Sequence, residues 1–391
     1  MKNLDDILDK VIIAGFGLYA LGAVVSLGIM NTGLTLAFLA WIIKKIRDFK
    51  IKSTPFDKYI LFFLVAIVFS FIGSWDLLNS INYFKRYLYP ILLFYMIIDL
   101  NPDVKLIKFF FAIIFITFLG SVSYGLWQYH IGINRIHSNL FVMEYATLLL
   151  IVLMYSITYG LWSKDGYKKR VVSIVLSIIF IISLLFTLTR GAWIALVIGI
   201  CVITAIRDRR ILISIIILSS IFLIVAPYFI PDIYVNRFMS IFDIKHNKGN
   251  ITRLNLWRSA LLIYKDHWIN GIGLNNFSKV VKLEPYFHES MISTSHAHNN
   301  FLQIAAETGS IGLTSFLLLF YVIIKKLYIF YQSTTNHNLK LFFLGTLGVI
   351  VVYLTHGLTE YTLNDRFTGR LVWFILGISI VLARRKKLLS E

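Results

Sequence analysis

The sequence predicts an all-α polytopic membrane protein with about twelve transmembrane helices and one large outward loop. Three observations carry that reading. The 391 residues are 58% hydrophobic with a mean hydropathy of +0.76, whereas soluble domains seldom exceed about half apolar. The apolar runs approach the ~20 residues that cross ~30 Å of hydrocarbon. They lack the period-two alternation of a membrane barrel.

In chain order the spans fall at roughly 11–28, 30–43, 59–75, 86–99, 107–128, 139–161, 171–187, 191–206, 211–229, 300–324, 341–357 and 369–383. The first two, and the seventh and eighth, form tight hairpins. Met1–Lys10 mixes charges and the apolar run after it lacks a small-residue cleavage site, so the first span reads as an uncleaved insertion signal. The chain thus divides into 1–229 with spans one to nine, 230–299 as a large loop with short helices, and 300–391 with the last three spans and a basic tail. Within the loop, Ile251–Lys265 has helical spacing, with Leu254, Trp257, Leu261 and Leu262 on or near one face. Asn270-Gly271-Ile272-Gly273 reads as a turn, and Pro231 and Pro285 break the rest. A connection this long that is too apolar for disorder is expected to be functional.

The net charge of +18 would point to nucleic acid in a soluble protein. Here the basic residues cluster in short loops, which topology explains better, so the expected partners are membrane lipids and not nucleic acid. With both termini in the cytoplasm, the inside loops hold Lys44, Lys45, Arg47, Lys50, Lys52 and Lys58, then Lys164, Lys168, Lys169 and Arg170, then Arg207, Arg209 and Arg210, then Lys325, Lys326 and Lys340. Arg384, Arg385, Lys386 and Lys387 follow in the tail. This is the positive-inside pattern for an even number of spans. The single Cys201 excludes an internal disulfide and a cysteine metal cluster, and reads as apolar filler.

Chemistry is sought on the outer face. His298-Asn299 stands where the large loop meets the tenth span, and an imidazole there can take a hydroxyl proton near neutral pH. Asn299 is placed to cap that span and to fix the ring, with His296 two residues earlier. A lone histidine before a helix is more often structural, so the position gains weight only from its company. Arg190 sits at the tip of the seventh–eighth hairpin, where its fork matches two phosphate oxygens or simply snorkels to a headgroup. Arg253 and Arg258 flank Trp257 but are not on one helical stripe. Lys85, Arg86 and Arg135 lie at other outer ends and extend a positive groove. Gly309 and Gly312 share a helical face and are expected to let another helix approach closely. Glu144 and Glu307 are carboxyls within spans, and Glu360 and Asp365 lie near the outer face, where they balance the arginines. No metal-ligand spacing, phosphate loop or dinucleotide fingerprint occurs, so neither a metal nor a cofactor is expected.

The segment His298-Asn299, nine residues, Gly309-Ser310-Ile311-Gly312 resembles the signature of the O-antigen ligase family, within the ligase/polymerase superfamily of bacterial surface polysaccharides. Thr189-Arg190-Gly191-Ala192 is similar to that family's hairpin arginine. Arg253-x3-Trp257, followed by Gly271-Ile272-Gly273 and Phe277, is similar to the stretch before its histidine. One departure is visible: the family often has proline before the Gly-x-Gly turn, where this chain has Trp268-Ile269-Asn270. The resemblance implies a membrane-embedded glycosyltransferase of C-type architecture in the bacterial inner membrane, with its active site facing the periplasm. It implies transfer of a glycan from undecaprenyl diphosphate to a sugar hydroxyl of lipid A–core, without metal. His298 would act as base and Arg190 and Arg253 would hold the diphosphate, with Asn299, His296, Arg258, Arg135 and Arg86 in support. A polymerase shares these motifs and uses a second lipid-linked glycan as acceptor. A transporter of an anionic lipid-linked glycan is the alternative outside the enzymes, and it is weakened because paired repeats are not apparent.

Overall fold

The computed structural model describes residues 2–49, 51–225, 228–229, 231–289, 291 and 294–389. Each expected span falls on a helix: α1 (Lys2–Gly22), α2 (Leu27–Arg47), α3 (Asp57–Phe69), α4 (Leu77–Leu100), α5 (Val104–His130), α6 (Val142–Trp162), α7 (Tyr167–Phe186), α8 (Arg190–Arg207) and α9 (Arg209–Val225). After the large loop come α13 (Asn300–Ser333), α14 (His337–His356) and α15 (Arg366–Arg385). Inside the loop lie α10 (Asp232–Met239), α11 (Lys248–Asp266) and the single turn α12 (Phe277–Val280). Lys50, and Ala226 and Pro227 of the ninth expected span, lie outside the described residues.

Among the described residues, eight helices are long and apolar enough to cross a membrane by themselves: α2, α5, α6, α7, α8, α13, α14 and α15. The protein is therefore multi-pass. Shortness sets α3 and α9 apart, at 13 and 17 residues. Helix starts are written locally. Ser26, Asp76, Asp103, Asn247, Asn299, Asn336 and Asp365 each accept a backbone N–H of the helix they precede, satisfying donors that a helix cannot satisfy itself.

The bundle has a centre and a rim. Of the apolar window of α15, 83% is buried, and of α14, 78%, against 22% for α7 and 28% for α2. Interlocked rings, among them Phe16, Phe110 and Phe374, fill the space around the central pair. The short connection between α14 and α15 is thereby carried to the middle of one end of the bundle. The α1–α2 hairpin occurs as expected; α7 and α8 are joined by a short turn over residues 187–189, but they diverge from it, α7 packing mainly on α6 and α8 mainly on α14.

The large loop has a small core of its own. Leu256, Ala260 and Ile263 of α11 pack with Ile272, Phe277, Val280, Val281 and Ala297, and Ala306 of α13 joins them. The buried face of α11 is therefore not the expected one. Leu254 and Leu261 point outward, 42% and 53% exposed, and the inward face is built on Thr252, Leu256, Ser259, Ala260 and Ile263. That face packs against α13.

A second expectation is corrected at Gly309 and Gly312. They do not admit a neighbouring helix. Gly309 adopts φ 63°, ψ −165°, and breaks α13, a conformation that disfavours a side chain. The Trp268–Gly273 turn inserts there. Ile272 and Gly273 donate to the carbonyls of Ala306 and Glu307, and Ser310 donates to that of Trp268 at 2.7 Å. The loop thus supplies partners that the broken helix frees, as irregular backbone within a membrane protein requires. A Cβ on Gly309 would lie 2.2 Å from the carbonyl oxygen of Ile269, and one on Gly271 would lie 2.3 Å from the carbonyl carbon of Glu307. Gly312 faces Thr308 of its own helix. Two glycine motifs far apart in sequence are the two halves of one joint.

Candidate functional site

The joint leads directly to the histidine. Glu307, fully within α13, pairs with no arginine among the described residues. It accepts from the backbone N–H of Phe277 at 3.3 Å and from the Gln303 amide at 2.8 Å. Gln303 in turn accepts from the N–H of Ala297 at 2.7 Å. One buried chain of hydrogen bonds thus fixes the loop and the residue before His298. Asn299 caps α13, accepting from Phe301 and Leu302, while its amide donates to the carbonyl of Leu358.

Asn299 does not hold the imidazole, as the sequence suggested. Glu360 does. His298 Nδ1 lies 2.9 Å from Glu360 Oε1, across 62 residues of sequence. His298 has φ 49°, an uncommon left-handed backbone for a residue with a side chain and one that recurs at functional sites. With a carboxylate beside Nδ1, that nitrogen carries the proton and Nε2 presents its lone pair. His296 completes the group, its ring centroid 4.1 Å from that of His298 and its Nε2 3.9 Å from Glu360.

Burial alone would raise the Glu360 carboxyl. The hydrogen bond from His298, with the charges of His298, His296 and Arg253, outweighs it and holds Glu360 down at about 2. Burial, then His298 and Arg253, lower His296 to about 4. Glu360 is thus the one fixed negative charge of this cluster.

Around it gather four arginines. Arg253 Nη2 lies 3.7 Å from Glu360 Oε2, a charge contact rather than a hydrogen bond. Arg190, Arg237 and Arg253 line one tight pocket of about 10 Å³ with Glu360, Thr359 and His356. Burial first, then the nearby charges of Arg135 and Arg253, lower the affinity of Arg237 for its proton. The α7–α8 turn explains the gathering. Arg135 and Arg237 donate to the carbonyls of Thr187 and Leu188, at 3.0 and 2.8 Å, where the end of α7 carries partial negative charge. The α8 N-terminus, the positive end of its dipole, opens on the same spot. A Cβ on Gly191 would meet Thr359 Oγ1 at 2.0 Å, so only glycine lets this turn reach the α14–α15 connection.

The arginines are not equivalent. Arg190 binds the loop, through Nη1 to Ser240 and Nη2 to Asn250 at 2.7 Å. Arg135 Nη2, Arg253 Nε and Trp257 Nε1 are buried without a hydrogen-bond partner among the described residues. Buried unpaired donors are costly, and donors in a cationic pocket suit an anion. Of the other expected residues, Arg258 is exposed on α11 and does not join the cluster. Arg86 and Lys85 face a separate cavity of about 830 Å³. Glu144 sits in the first turn of α6 beside Asp365.

Arg237, His356 and the role of Glu360 were not found from sequence. His356 lies inside an apolar run and meets Thr147, 209 residues away. His296, His298 and Glu360 bring three possible metal-ligand atoms within 4.8 Å of one another, a set no local spacing reveals. The guanidinium of Arg253 beside Glu360 already supplies a cation there.

A family model described as O-antigen ligase matches residues 175–317. The chain is 23% identical over 258 residues to the teichuronic acid biosynthesis protein TuaE of Bacillus subtilis (strain 168), covering 63% of this chain and 52% of that protein. The chain therefore spans about half the length of the curated relative it matches. The stretch matched by the family model, residues 175–317, holds Arg190, Arg237, Arg253, His298 and the Gly309 break.

Proposed function

We propose that this protein transfers a glycan from a polyprenyl diphosphate, undecaprenyl diphosphate in bacteria, to a sugar hydroxyl at the periplasmic face of the inner membrane. The observation that carries the reading is a histidine with one nitrogen tied to a buried carboxylate, set among arginines with unpaired donors. The family match and the polysaccharide-biosynthesis relative agree with it.

The acceptor hydroxyl attacks the anomeric carbon while the bond from that carbon to the diphosphate oxygen breaks. His298 Nε2 takes the hydroxyl proton, and Glu360 stabilises the imidazolium that forms. The bonding electrons leave with the diphosphate, whose growing charge falls to Arg253, Arg135, Arg237 and Arg190. In-line displacement inverts the anomeric centre. The arginines take the part a metal would play, so the reaction is metal-independent. A pocket of about 10 Å³ holds little more than one water, so donor entry displaces the α10–α11 segment that Arg190 clasps. Both termini then lie in the cytoplasm, with 230–299 as the periplasmic loop between the two groups of spans.

The test is transfer by the purified protein in liposomes, with a labelled polyprenyl-diphosphate glycan, chelator and no nucleotide. Transfer to lipid A–core in a single step marks a ligase, and growth of the donor glycan marks a polymerase. Movement of intact donor across the bilayer without a new glycosidic bond overturns the reading in favour of a transporter.

A further inference from the structure

The arginine pocket holds a further histidine that the reaction drawn above does not use. His356 ends α14 and is 1% exposed. It lines the pocket together with Arg190, Arg237, Arg253 and Thr359.

Its hydrogen bonds fix which ring nitrogen carries the proton. The Thr147 hydroxyl lies 3.0 Å from His356 Nδ1 and gives its only proton to the carbonyl of Met143, at 2.8 Å. A hydroxyl whose proton is committed can only accept from a second partner, so Nδ1 of His356 donates to it. In the neutral ring Nε2 then carries the lone pair. That edge of the ring faces the start of α8. A Cβ on Gly191 would meet Cδ2, the carbon bonded to Nε2, at 3.3 Å.

A lone pair in this place is at odds with an anion. Phosphate oxygens present lone pairs of their own, so neutral His356 repels what the arginines attract. The charged groups around the ring are Arg190 on α8, Arg237 on α10, Arg253 on α11 and Glu360 on the α14–α15 connection, with Arg135 held at the end of α7. Helix α6 offers the neutral Met143 and Thr147, and its Glu144 turns to Asp365 instead. Guanidiniums outnumber the one carboxylate, which opposes a positive ring. A diphosphate brings two negative charges and reverses that sum. A protonated Nε2 then becomes a charge-assisted donor to a phosphate oxygen.

We propose that the donor diphosphate binds together with one proton, taken up by His356, whose Nε2 then donates to a phosphate oxygen beside the arginines. The inference deepens the transfer reading and rests on it for the identity of the anion. The two histidines work in opposite states: His298 is neutral to accept a proton from the acceptor, and His356 is charged to hold the donor.

The experiment is isothermal titration calorimetry on the full chain in nanodiscs, in two buffers of different ionisation heat. The probe is undecaprenyl-diphosphate-linked N-acetylglucosamine, neither of whose phosphates titrates near neutral pH. Wild type is expected to take up about one proton per probe, and Kd should weaken by up to about tenfold per unit as pH rises. His356→Gln, which keeps a donor but cannot titrate, should bind with no proton uptake and no such pH dependence. Thr147→Val removes the group that holds the proton on Nδ1. The neutral ring can then place it on Nε2, so uptake should fall there too while binding remains. His298→Ala and His296→Asn should each keep the uptake. Binding without proton uptake in wild type, or uptake retained in His356→Gln, overturns the proposal. Uptake lost in His298→Ala would move the proton to the reacting histidine and overturn it as well. Proton-linked binding with no glycan transfer would count against the proposed reaction and leave this role of His356 standing, and transfer with no uptake would do the reverse.

Discussion

Two clusters of cations occupy one end of the bundle, and they are built differently. Arg135, Arg190, Arg237 and Arg253 converge on a buried carboxylate and two histidines in about 10 Å³ of space. Lys85, Arg86, Arg366 and Arg370 stand over about 830 Å³ of largely apolar cavity. The first has a proton acceptor and unpaired donors within reach of each other. The second has neither histidine nor tight geometry. Equal charge therefore does not mean equal chemistry: charges that surround an imidazole can stabilise a leaving group, and charges spread over an apolar cavity lack the proton acceptor that the reaction needs.

The sharpest way to break this contrast is at His298. Replacing it with alanine should lower transfer by about 10²–10⁴, the usual worth of a placed acid–base group, whereas Arg86→Gln, at the separate cavity outside the histidine cluster, should cost far less. Initial rates at varied acceptor separate the two. Next in size is Arg253→Lys, which keeps the charge and loses the fork. About 1.5–3 kcal/mol for a charge-assisted hydrogen bond corresponds to a fall of roughly ten- to a hundredfold in kcat/KM. Equal activity in the lysine variant would show that Arg253 acts only as a point charge.

Gly309→Ala probes the joint that presents the histidine. The left-handed backbone and the 2.2 Å approach to Ile269 should cost about 1–3 kcal/mol, read as a lower Tm in detergent together with lost activity. Gly120→Ala, with nothing within 4 Å of its added Cβ, is the neutral companion. A smaller effect concerns acid. The fold favours neutral His296, held at about 4 against 6.5, so its contribution is full above about pH 6.5 and declines as pH falls toward 4. Charged Glu360, at about 2 against 4.5, adds a decline below about pH 4.5. His296→Asn should flatten the first part of the Tm–pH curve and leave the second. The smallest effect is expected of Arg258→Gln, within about twofold in rate, as for an exposed position outside the cluster.

The fold was legible where physics is local. Apolar runs placed the helices, because the ~20 residues that cross the hydrocarbon are contiguous in sequence, and the cap read from sequence, Asn299, starts α13. The α11 face was misread because apolar residues on an outward loop of a membrane protein need not point into the protein. The Gly309 break was invisible because apolar spacing continues through it, and only the partner turn at Trp268–Gly273 makes the break affordable. At the candidate site, His298, Arg190, Arg253 and Arg135 were reached through motif and topology. Glu360 was read as charge balance for the arginines but not as the partner of His298, and His356 was not reached, because those partners lie 62 and 209 residues away. Arg237 went unread because it is one loop cation among many, and only its contact with the Leu188 carbonyl at the end of α7 places it in the cluster.

The central claim is a division of labour between His298 and the arginines, and donor binding measured beside single-turnover transfer tests it most directly. His298→Ala should bind the polyprenyl-diphosphate glycan about as tightly as wild type and transfer almost none of it, while Arg190→Gln with Arg253→Gln should lose the binding itself. Unimpaired turnover in His298→Ala, or donor binding untouched by loss of both arginines, would contradict it.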